Sequence, residues 1–212
     1  GAANPASAVG GTISGTSNTV NGELVQGTDG ADTIQGLGGP KDTIMGGAGN
    51  DVIFAHVVKT TALDAIGDNV QVAQNGQGDS SIIRGDDGND VIYGGAGFDD
   101  INGNKGDDTV HGALGNDWAV GGQGDDVLFG DKGDDVVYGN LGNDTLSGGE
   151  GNDVVRGGQG DDVIDGGDGD DLLWGDRGND ILTGGAGADQ FRLLVGSGAD
   201  RVTDFSLAQG DK

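Results

Sequence analysis

The sequence contains no cysteine, which excludes disulfides and thiolate metal sites. Proline occurs twice and aromatic residues make up only 4% of the chain, so a large globular core is not expected. No apolar run approaches membrane-spanning length, and residues 1–5 lack the charged and apolar pattern of a signal peptide. The chain must therefore fold with a small core and without covalent cross-links.

Positive charge is also scarce, since 10 Lys and Arg residues stand against 36 acidic ones and the formal net charge is −26. Such a chain repels itself, so it becomes compact only if cations bind. It also repels nucleic acid and acidic membrane surfaces, which makes both poor partners except where bound divalent ions bridge the contact. Glutamate occurs only at Glu23 and Glu150. The preference for aspartate, whose short side chain suits tight turns, indicates a geometric role rather than bulk acidity.

Residues for catalysis are few. Histidine occurs only at His56 and His111, and neither an HExxH nor a GxSxG motif is present. His56 has no evident partner in the sequence, and His111 is expected to be a surface residue. Aspartate pairs such as Asp107 and Asp108 recur with a repeat and belong to no predicted cleft. The sequence therefore predicts no enzyme.

Glycine, in contrast, occurs 49 times and follows a strict period. From residue 85 to residue 192 the chain divides into twelve units of nine residues without an insertion, as in GGQGDDVLF (121–129) and GGEGNDVVR (148–156). Every unit has glycine at positions one and four, aspartate at position six and an apolar residue at position eight. A register kept over twelve units indicates a repeat architecture.

One apolar residue in nine is too sparse for a helix. It suits a three-residue strand whose middle side chain points inward, with positions seven and nine pointing outward. Positions one to six then reverse the chain, for which glycine is favourable. Two units form one coil. Strands of successive coils stack about 4.8 Å apart, which gives two parallel sheets. The predicted fold is all-β, a parallel β-solenoid.

The units match the pattern GGxGxDxUx, where U is a large apolar residue, and the chain resembles the repeats-in-toxin (RTX) family. The resemblance implies a right-handed parallel β-roll, calcium bound between successive turns, and export by the type I secretion machinery. It also implies a secreted or cell-surface, extracellular location for a protein of a Gram-negative bacterium. Residues 191–206 look like the segment that closes such rolls in secreted proteases.

The coil places the position-six aspartates along two edges of the roll, one coil apart. One ion can then bind between two carboxylates, while carbonyls of the glycine turns complete an oxygen shell that favours Ca²⁺. The predicted carboxylate ligands are Asp32, Asp42, Asp51, Asp90, Asp99, Asp108, Asp117, Asp126, Asp135, Asp144, Asp153, Asp162, Asp171, Asp180 and Asp189. The predicted carbonyl ligands are Gly88, Gly97, Gly106, Gly115, Gly124, Gly133, Gly142, Gly151, Gly160, Gly169, Gly178 and Gly187. About ten Ca²⁺ ions fit the regular block, with more possible in 27–54.

Position five carries a second set of polar residues, among them Asn89, Asp107 and Asn116. We expect these to stabilise the turn rather than bind metal.

The repeat divides the chain into five predicted parts: a cap or linker (1–26), first repeats (27–54), an irregular insert with a degenerate repeat (55–84), the regular roll (85–192) and a closing cap (193–212). In the degenerate repeat Ser81 replaces the aspartate, so calcium binding there is doubtful. The insert at 55–75 is either a tolerated loop or a partner site. Because the chain stops at Lys212 within the closing segment, we expect the activity of a parent protein to lie elsewhere.

Two functions follow. In the first, the chain stays unfolded where calcium is scarce and folds on binding it outside the cell, which supports secretion and stability of a larger exoprotein. The alternative is an extracellular adhesin, surface-layer or carbohydrate-binding module, or a self-associating one. It would use the 55–75 insert or an apolar outer face. That face consists of Trp118, Val120, Val136, Tyr138, Val154, Leu172 and Trp174.

Overall fold

The computed structural model describes residues 12–14, 24–35, 43–54, 80–194 and 197–212. Successive strands alternate between two sheets, one of ten strands and one of nine, and all strand pairs are parallel. Each strand pairs with the strand two further along the chain, so one coil contains one strand of each sheet. In the regular block partners are separated by two units, as in Leu128 with Leu146. This is the predicted parallel β-solenoid.

The ten-stranded sheet comprises β1 (Thr12–Ser14), β3 (Thr33–Gln35), β5 (Val52–Phe54), β7 (Val91–Ala96), β9 (Thr109–Leu114), β11 (Val127–Lys132), β13 (Thr145–Glu150), β15 (Val163–Asp168), β17 (Ile181–Ala186) and β19 (Arg201–Val202). The nine-stranded sheet comprises β2 (Leu24–Gln26), β4 (Thr43–Ala48), β6 (Ser81–Asp87), β8 (Asp99–Lys105), β10 (Trp118–Gln123), β12 (Val136–Leu141), β14 (Val154–Gln159), β16 (Leu172–Arg177) and β18 (Gln190–Arg192).

The core is a single file of position-eight side chains, one from each strand from β2 to β18, between the two sheets. From Ile92 to Leu182 every one of them is at most 1% exposed. The last, Phe191, is only partly buried, because it lies at the end of the stack. Burying a side chain of this size stabilises the fold by about 1.5–3 kcal/mol. The core is therefore continuous but narrow.

The strands are longer than the three residues that the sequence predicts. In most units the strand continues from position seven through position three of the next unit, as in β9 and β11. Position-three residues also pair across coils, as Lys132 does with Glu150. Only positions four to six form the turn. The backbone can stay paired past the first glycine because position two takes a positive φ, which bends the strand without ending it.

Strands on the two sides of residues 55–79 belong to the same two sheets. β4 pairs with β6, and β5 pairs with β7. The predicted 55–75 insert lies outside the described residues. Across the described ranges, the structure contains no helix long and apolar enough to cross a bilayer.

Candidate metal sites

The position-six aspartates form two straight rows, which we call the first and second ladders. The first ladder precedes strands of the ten-stranded sheet and contains Asp32, Asp51, Asp90, Asp108, Asp126, Asp144, Asp162 and Asp180. The second ladder belongs to the nine-stranded sheet and contains Asp99, Asp117, Asp135, Asp153, Asp171 and Asp189. All are at most 3% exposed. Asp42 lies outside the described residues.

From Asp51 onward, one oxygen of each ladder carboxylate is used to hold the stack together. The Oδ1 atom accepts a hydrogen bond from the backbone N–H of the aspartate one coil earlier. Asp90 N donates to Asp108 Oδ1 at 2.8 Å, and Asp99 N donates to Asp117 Oδ1 at 2.8 Å, each across 18 residues. The ladders are therefore part of the backbone hydrogen bonding of the roll.

The second oxygen of twelve ladder carboxylates has no hydrogen-bond partner in the described structure. Oδ2 is buried and accepts no hydrogen bond in the described structure in Asp51, Asp90, Asp99, Asp108, Asp117, Asp126, Asp135, Asp144, Asp153, Asp162, Asp171 and Asp180. A buried carboxylate oxygen without a donor is costly, because it has lost its water without compensation. A repeated row of such atoms indicates that a ligand supplies the missing interaction.

Glycine at position one provides the space beside this oxygen. A Cβ added to Gly130 would lie 2.6 Å from Asp135 Oδ2 and 2.5 Å from the carbonyl oxygen of Gly148 in the next coil. At Gly112 the corresponding distances are 2.8 Å to Asp117 Oδ2 and 2.7 Å to the Gly130 carbonyl oxygen. Two oxygens, one charged and one neutral, thus converge on a space that any larger residue would fill.

The predicted carbonyl ligands at position four lie differently. Their carbonyls point along the stack toward the position-four glycine of the next coil, as Gly142 toward Gly160 and Gly169 toward Gly187. Their role as metal ligands stays a prediction. The carbonyls beside Oδ2 come from position one, which the sequence reasoning missed. Position one was assigned only to the turn, and a repeat pattern does not show carbonyl direction.

Burial makes the ionised ladder unfavourable. It raises the pKa of Asp117 and Asp126 to about 8 and that of Asp90 and Asp171 to about 7. The hydrogen bond from the preceding coil lowers the pKa, but it does not offset burial. Charged neighbours add to the rise, as Asp144 does for Asp126. At neutral pH the ladders therefore need protons or cations.

Among the described residues, no lysine, arginine or histidine forms an ion pair with a ladder carboxylate. The ion pairs of the described residues join Arg84 to Asp100, Lys105 to Asp87, His111 to Asp131, Lys132 to Glu150 and Arg156 to Asp176. None of these carboxylates belongs to a ladder. Within the described ranges, no group of three or more His, Cys, Asp or Glu side chains is arranged to hold a metal. A cation here must therefore use one or two carboxylates together with backbone oxygens.

The residues present fit calcium. The donor atoms that converge beside position one are all oxygen, and hard oxygen donors select Ca²⁺ or Mg²⁺ over the transition metals. Backbone carbonyls and shared carboxylates suit the flexible shell of Ca²⁺ better than the strict octahedron of Mg²⁺. The same oxygens that lack a donor would become ligands.

Position-five side chains accept backbone hydrogen bonds from the neighbouring coil. Asp107 N donates to Asn89 Oδ1 at 3.0 Å, and Asp134 N donates to Asn116 Oδ1 at 3.1 Å. These side chains are exposed and bond to the next coil, whereas the ladder aspartates bond to the preceding one. Positions five and six thus tie each turn to both neighbours.

Two ladder positions differ from the rest. Asp32 Oδ2 accepts hydrogen bonds from Thr28 N and Thr28 Oγ1 at 2.7 and 2.8 Å, so this oxygen is already used. Ser81 occupies the ladder position before Asp99, and its backbone N–H donates to Asp99 Oδ1 at 2.7 Å. Serine therefore continues the stack without a carboxylate.

Two further aspartates extend the ladders. Asp180 N donates to Asp200 Oδ1 at 3.3 Å, and Asp189 N donates to Asp211 Oδ1 at 3.2 Å. The sequence reasoning missed both residues. For Asp200 a signal exists, since GSGADRV (196–202) keeps the glycine, aspartate and valine of positions four, six and eight. It is displaced from the nine-residue register by two residues.

The predicted partner face lies on the outside of the nine-stranded sheet. Trp118 is 45% exposed, and the other six predicted residues are half-buried. Trp118 contacts Tyr138 edge to face, with ring centroids 6.5 Å apart. Arg156 lies between Tyr138 and Trp174 in the register, so the face is not continuously apolar. Its function as a contact surface stays a prediction.

His111 is more than an isolated surface residue. Its ring stacks between Tyr93 and Phe129, with centroid distances of 5.0 and 4.6 Å, and Phe54 extends the row beyond Tyr93. Its Nδ1 lies 3.1 Å from Asp131 Oδ2. This aromatic row could have been found by comparing position nine of every second unit. His56 lies outside the described residues.

Comparison with known families agrees with this geometry. The model of the RTX calcium-binding nonapeptide repeat matches residues 19–53, 84–119, 111–146, 120–155, 138–173, 156–191 and 165–202. Together these matches cover most of the chain. No curated protein matches it.

Proposed function

Because the chain belongs to the RTX calcium-binding nonapeptide repeat family, we propose that this calcium-binding β-roll folds when it meets calcium outside the cell. In this role it supports type I secretion and stability of a larger exoprotein from a Gram-negative bacterium. RTX repeats are typical of secreted proteins. They form a structural calcium-binding fold, and we propose no catalytic role for the chain.

The observation that carries the proposal is the row of buried Oδ2 atoms without donors. With calcium, each oxygen gains a charged partner. Without calcium, carboxylates one coil apart repel one another, at about 1–4 kcal/mol per close pair. The narrow core cannot offset many such pairs. Folding and calcium binding are therefore expected to be one cooperative event.

The proposal requires that calcium at extracellular levels, and not at intracellular levels, fold the chain. Extracellular calcium modules have dissociation constants of about 10⁻⁴–10⁻³ M. Limited proteolysis in millimolar calcium and in chelator-buffered submicromolar calcium tests this directly. We expect a protected roll only in millimolar calcium. Equal protection in both buffers would show that the chain can fold before export, and the proposed role would fail.

The ion count belongs to the same proposal. The regular block has six aspartates in each ladder and five gaps between neighbours, so about ten ions fit there. The first ladder adds a gap between Asp51 and Asp90. Each ion brings two positive charges, and ten of them offset most of the net charge of −26. A near-neutral roll no longer opposes its own compaction.

A second candidate role is self-association through the outer nine-stranded sheet. It is favoured by Trp118 and Ile82, which are 45% and 44% exposed at the same outward position of β10 and β6. Sedimentation equilibrium in calcium should then show a dimer that is weakened by Trp118→Gln, with an unchanged calcium response. A monomer at all concentrations would remove this role.

A further inference from the structure

A groove of about 1000 Å³ runs along the outside of the nine-stranded sheet. It is lined by positions nine, two and three of six neighbouring strands, from Asp86 of β6 to Arg177 of β16, and by Leu194. Successive coils stack about 4.8 Å apart, so the groove is about 24 Å long. A site of this shape fits a linear chain better than a compact ligand.

Position two of this groove alternates between a polar side chain and glycine. The strand register places five position-two residues side by side in consecutive coils: Asn104, Gly122, Asn140, Gly158 and Asp176. Beside the two glycines, position three carries glutamine, at Gln123 and Gln159. The lining thus repeats every two coils, a distance of about 9.6 Å.

The amides of this alternating pattern are available to a ligand. Gln123, Asn140 and Gln159 are exposed, and their side-chain amides form no hydrogen bond in the part of the chain that the structure describes. Three consecutive coils therefore present one carboxamide each, alternately from position three and position two. A carboxamide both donates and accepts hydrogen bonds, which suits the hydroxyl groups of a sugar.

The lining is electrically neutral, in contrast to the chain as a whole. Its charged residues, three of each sign, are Asp86, Asp87, Asp176, Lys105, Arg156 and Arg177. Four of them form ion pairs, Lys105 with Asp87 and Arg156 with Asp176. An anionic polymer would gain no net attraction in the groove and would be repelled by the acidic chain around it. The charges therefore favour an uncharged ligand.

The groove is poorly suited to a peptide. Each strand from β6 to β16 in this sheet is already paired on both sides, so the backbone cannot accept an added strand. Of the lining residues, only Tyr138, Leu141 and Leu194 are large and apolar. A polar lining with one aromatic ring instead matches a sugar, whose hydroxyl groups bond to amides and whose apolar ring face packs on an aromatic ring.

We propose that this groove binds an uncharged, linear, β-1,4-linked polysaccharide along the axis of the roll. A pyranose ring with its glycosidic oxygen is about as long as one coil spacing, so one sugar meets each coil. Successive rings of a β-1,4-linked chain face in opposite directions, so equivalent groups recur on every second ring. That recurrence matches the two-coil alternation of the amides. The proposal goes beyond calcium-dependent folding, because sugar binding needs only the folded roll.

Isothermal titration calorimetry of the folded chain in saturating calcium tests the proposal, with cellohexaose and β-1,4-linked mannohexaose as ligands. We expect at least one of them to bind, and the uncharged but α-linked and curved maltohexaose to bind at least about tenfold more weakly. The β-1,4-linked mannuronate hexamer, which carries a carboxylate on each ring, should also bind at least about tenfold more weakly. Failure of both neutral β-linked hexasaccharides to bind, or tighter binding of the mannuronate hexamer, would overturn the proposal.

Two substitutions that spare the fold test whether the sugar lies in the groove. Asn140→Gly removes one amide at a position where Gly122 and Gly158 already have a positive φ. Gln123→Ala removes another at a position that is alanine in Ala96. Each variant loses one hydrogen bond to the sugar and should bind about two- to tenfold more weakly.

Glu150→Ala is the matched control, since Glu150 is exposed at position three of β13 in the opposite sheet. Its affinity for the hexasaccharide should equal that of the unchanged chain. Unchanged affinity in both Asn140→Gly and Gln123→Ala, or an equal loss in Glu150→Ala, would show that the sugar binds elsewhere and would overturn the proposal.

Discussion

At the scale of single residues, the aspartate at position six has two separate functions. Oδ1 accepts a backbone hydrogen bond from the preceding coil, and Oδ2 is left for a ligand. Asparagine could take over the first function but not the second, because its amide nitrogen is a donor. The requirement for aspartate at this position therefore depends on the ion and not on the turn.

Asp135→Asn tests this distinction. Loss of a charged ligand interaction costs about 1.5–3 kcal/mol. Because about ten ions bind together on folding, this loss is divided among them, and we expect the calcium midpoint for folding to rise by a factor of about 1.3–1.7. Circular dichroism during a calcium titration measures that midpoint.

The control is its exposed neighbour, Asp134→Asn. Asp134 Oδ1 accepts the backbone N–H and the side-chain Nδ2–H of Asn152, and asparagine already occupies this position at Asn116 and Asn152. Its midpoint should stay close to that of the unchanged chain. Equal shifts in the two variants would mean that general charge, and not position six, determines calcium binding.

Position two contains one residue in an unfavourable conformation. Ala113 has a φ of 82°, whereas the other non-glycine residues with positive φ in the described structure are all aspartate or asparagine. Those two side chains tolerate the left-handed region, and alanine does not. We expect Ala113→Gly to stabilise the calcium-bound roll by up to about 1 kcal/mol, measured by urea unfolding.

Ala119→Gly is the appropriate control for that substitution. Ala119 is fully buried at position eight of β10 and does not have a positive φ. Glycine at this position removes buried apolar surface and gives the unfolded backbone more freedom. Ala119→Gly should therefore destabilise the calcium-bound roll by about 1 kcal/mol. If Ala113→Gly destabilised to the same extent, the φ at Ala113 would not be a source of strain.

At the scale of the strand, sequence periodicity predicts the core well and the strand length poorly. Position eight is apolar in each unit and inward in each strand, because one face of a strand must be buried. Positions one to three contain glycine and polar residues, which indicate a turn, yet they pair across coils. Stacking of identical coils supplies backbone hydrogen-bond partners to any extended segment. The pattern of side chains in the sequence does not reveal this backbone pairing.

The aromatic row shows a second element-level effect that single units do not reveal. Neighbours in the stack are one coil apart, so His111 meets Tyr93 and Phe129 rather than its sequence neighbours. An aromatic pair contributes about 0.5–1.5 kcal/mol beyond area burial. We expect His111→Ala to destabilise the calcium-bound roll by about 1–2 kcal/mol in urea unfolding, because it breaks two such contacts.

Ser147→Ala is the matched control, since Ser147 follows Phe129 at the same position of β13 but has no ring. It should change stability by less than about 0.5 kcal/mol. A His111→Ala variant as stable as Ser147→Ala would show that the row does not hold adjacent coils together.

At the scale of the whole molecule, the two ladders couple folding to protons as well as to calcium. In the metal-free roll the ladder carboxyls have a raised pKa, about 6 for Asp108, about 7 for Asp90 and about 8 for Asp117. In the unfolded chain an aspartate titrates near 3.9. The folded state thus binds more protons than the unfolded state. The stability that these carboxyls contribute is fully present below about pH 4 and is lost as pH rises through about 6–8.

We therefore expect the chelated chain to gain β-sheet signal on acidification, with a midpoint above the ordinary carboxyl range. With calcium present the dependence reverses, since protons compete for the same oxygens and calcium affinity should fall as pH decreases. Circular dichroism against pH, with chelator and with calcium, measures both. A midpoint near pH 4 in chelator would indicate general charge neutralisation and contradict a role for the buried ladders.

The sequence also predicts which carboxylates align, because a constant period fixes the spacing of residues one coil apart. It fails where the period changes. The backbone N–H of Asp51 donates to Asp90 Oδ1, 39 residues later in the chain. That of Asp180 donates to Asp200 Oδ1, 20 residues later. Both cases depend on backbone pairing between coils of unequal length. Such pairing is a property of the assembled stack rather than of any single unit.

The central claim is that calcium, by occupying the oxygens that lack donors, makes this chain fold. Far-ultraviolet circular dichroism of the chelated chain at neutral pH, titrated with Ca²⁺ and separately with Mg²⁺, tests it most directly. The account predicts a steep, cooperative gain of β-sheet signal with calcium and none at equal concentrations of magnesium. A chain that is already folded in chelator, with no response to calcium, would contradict it.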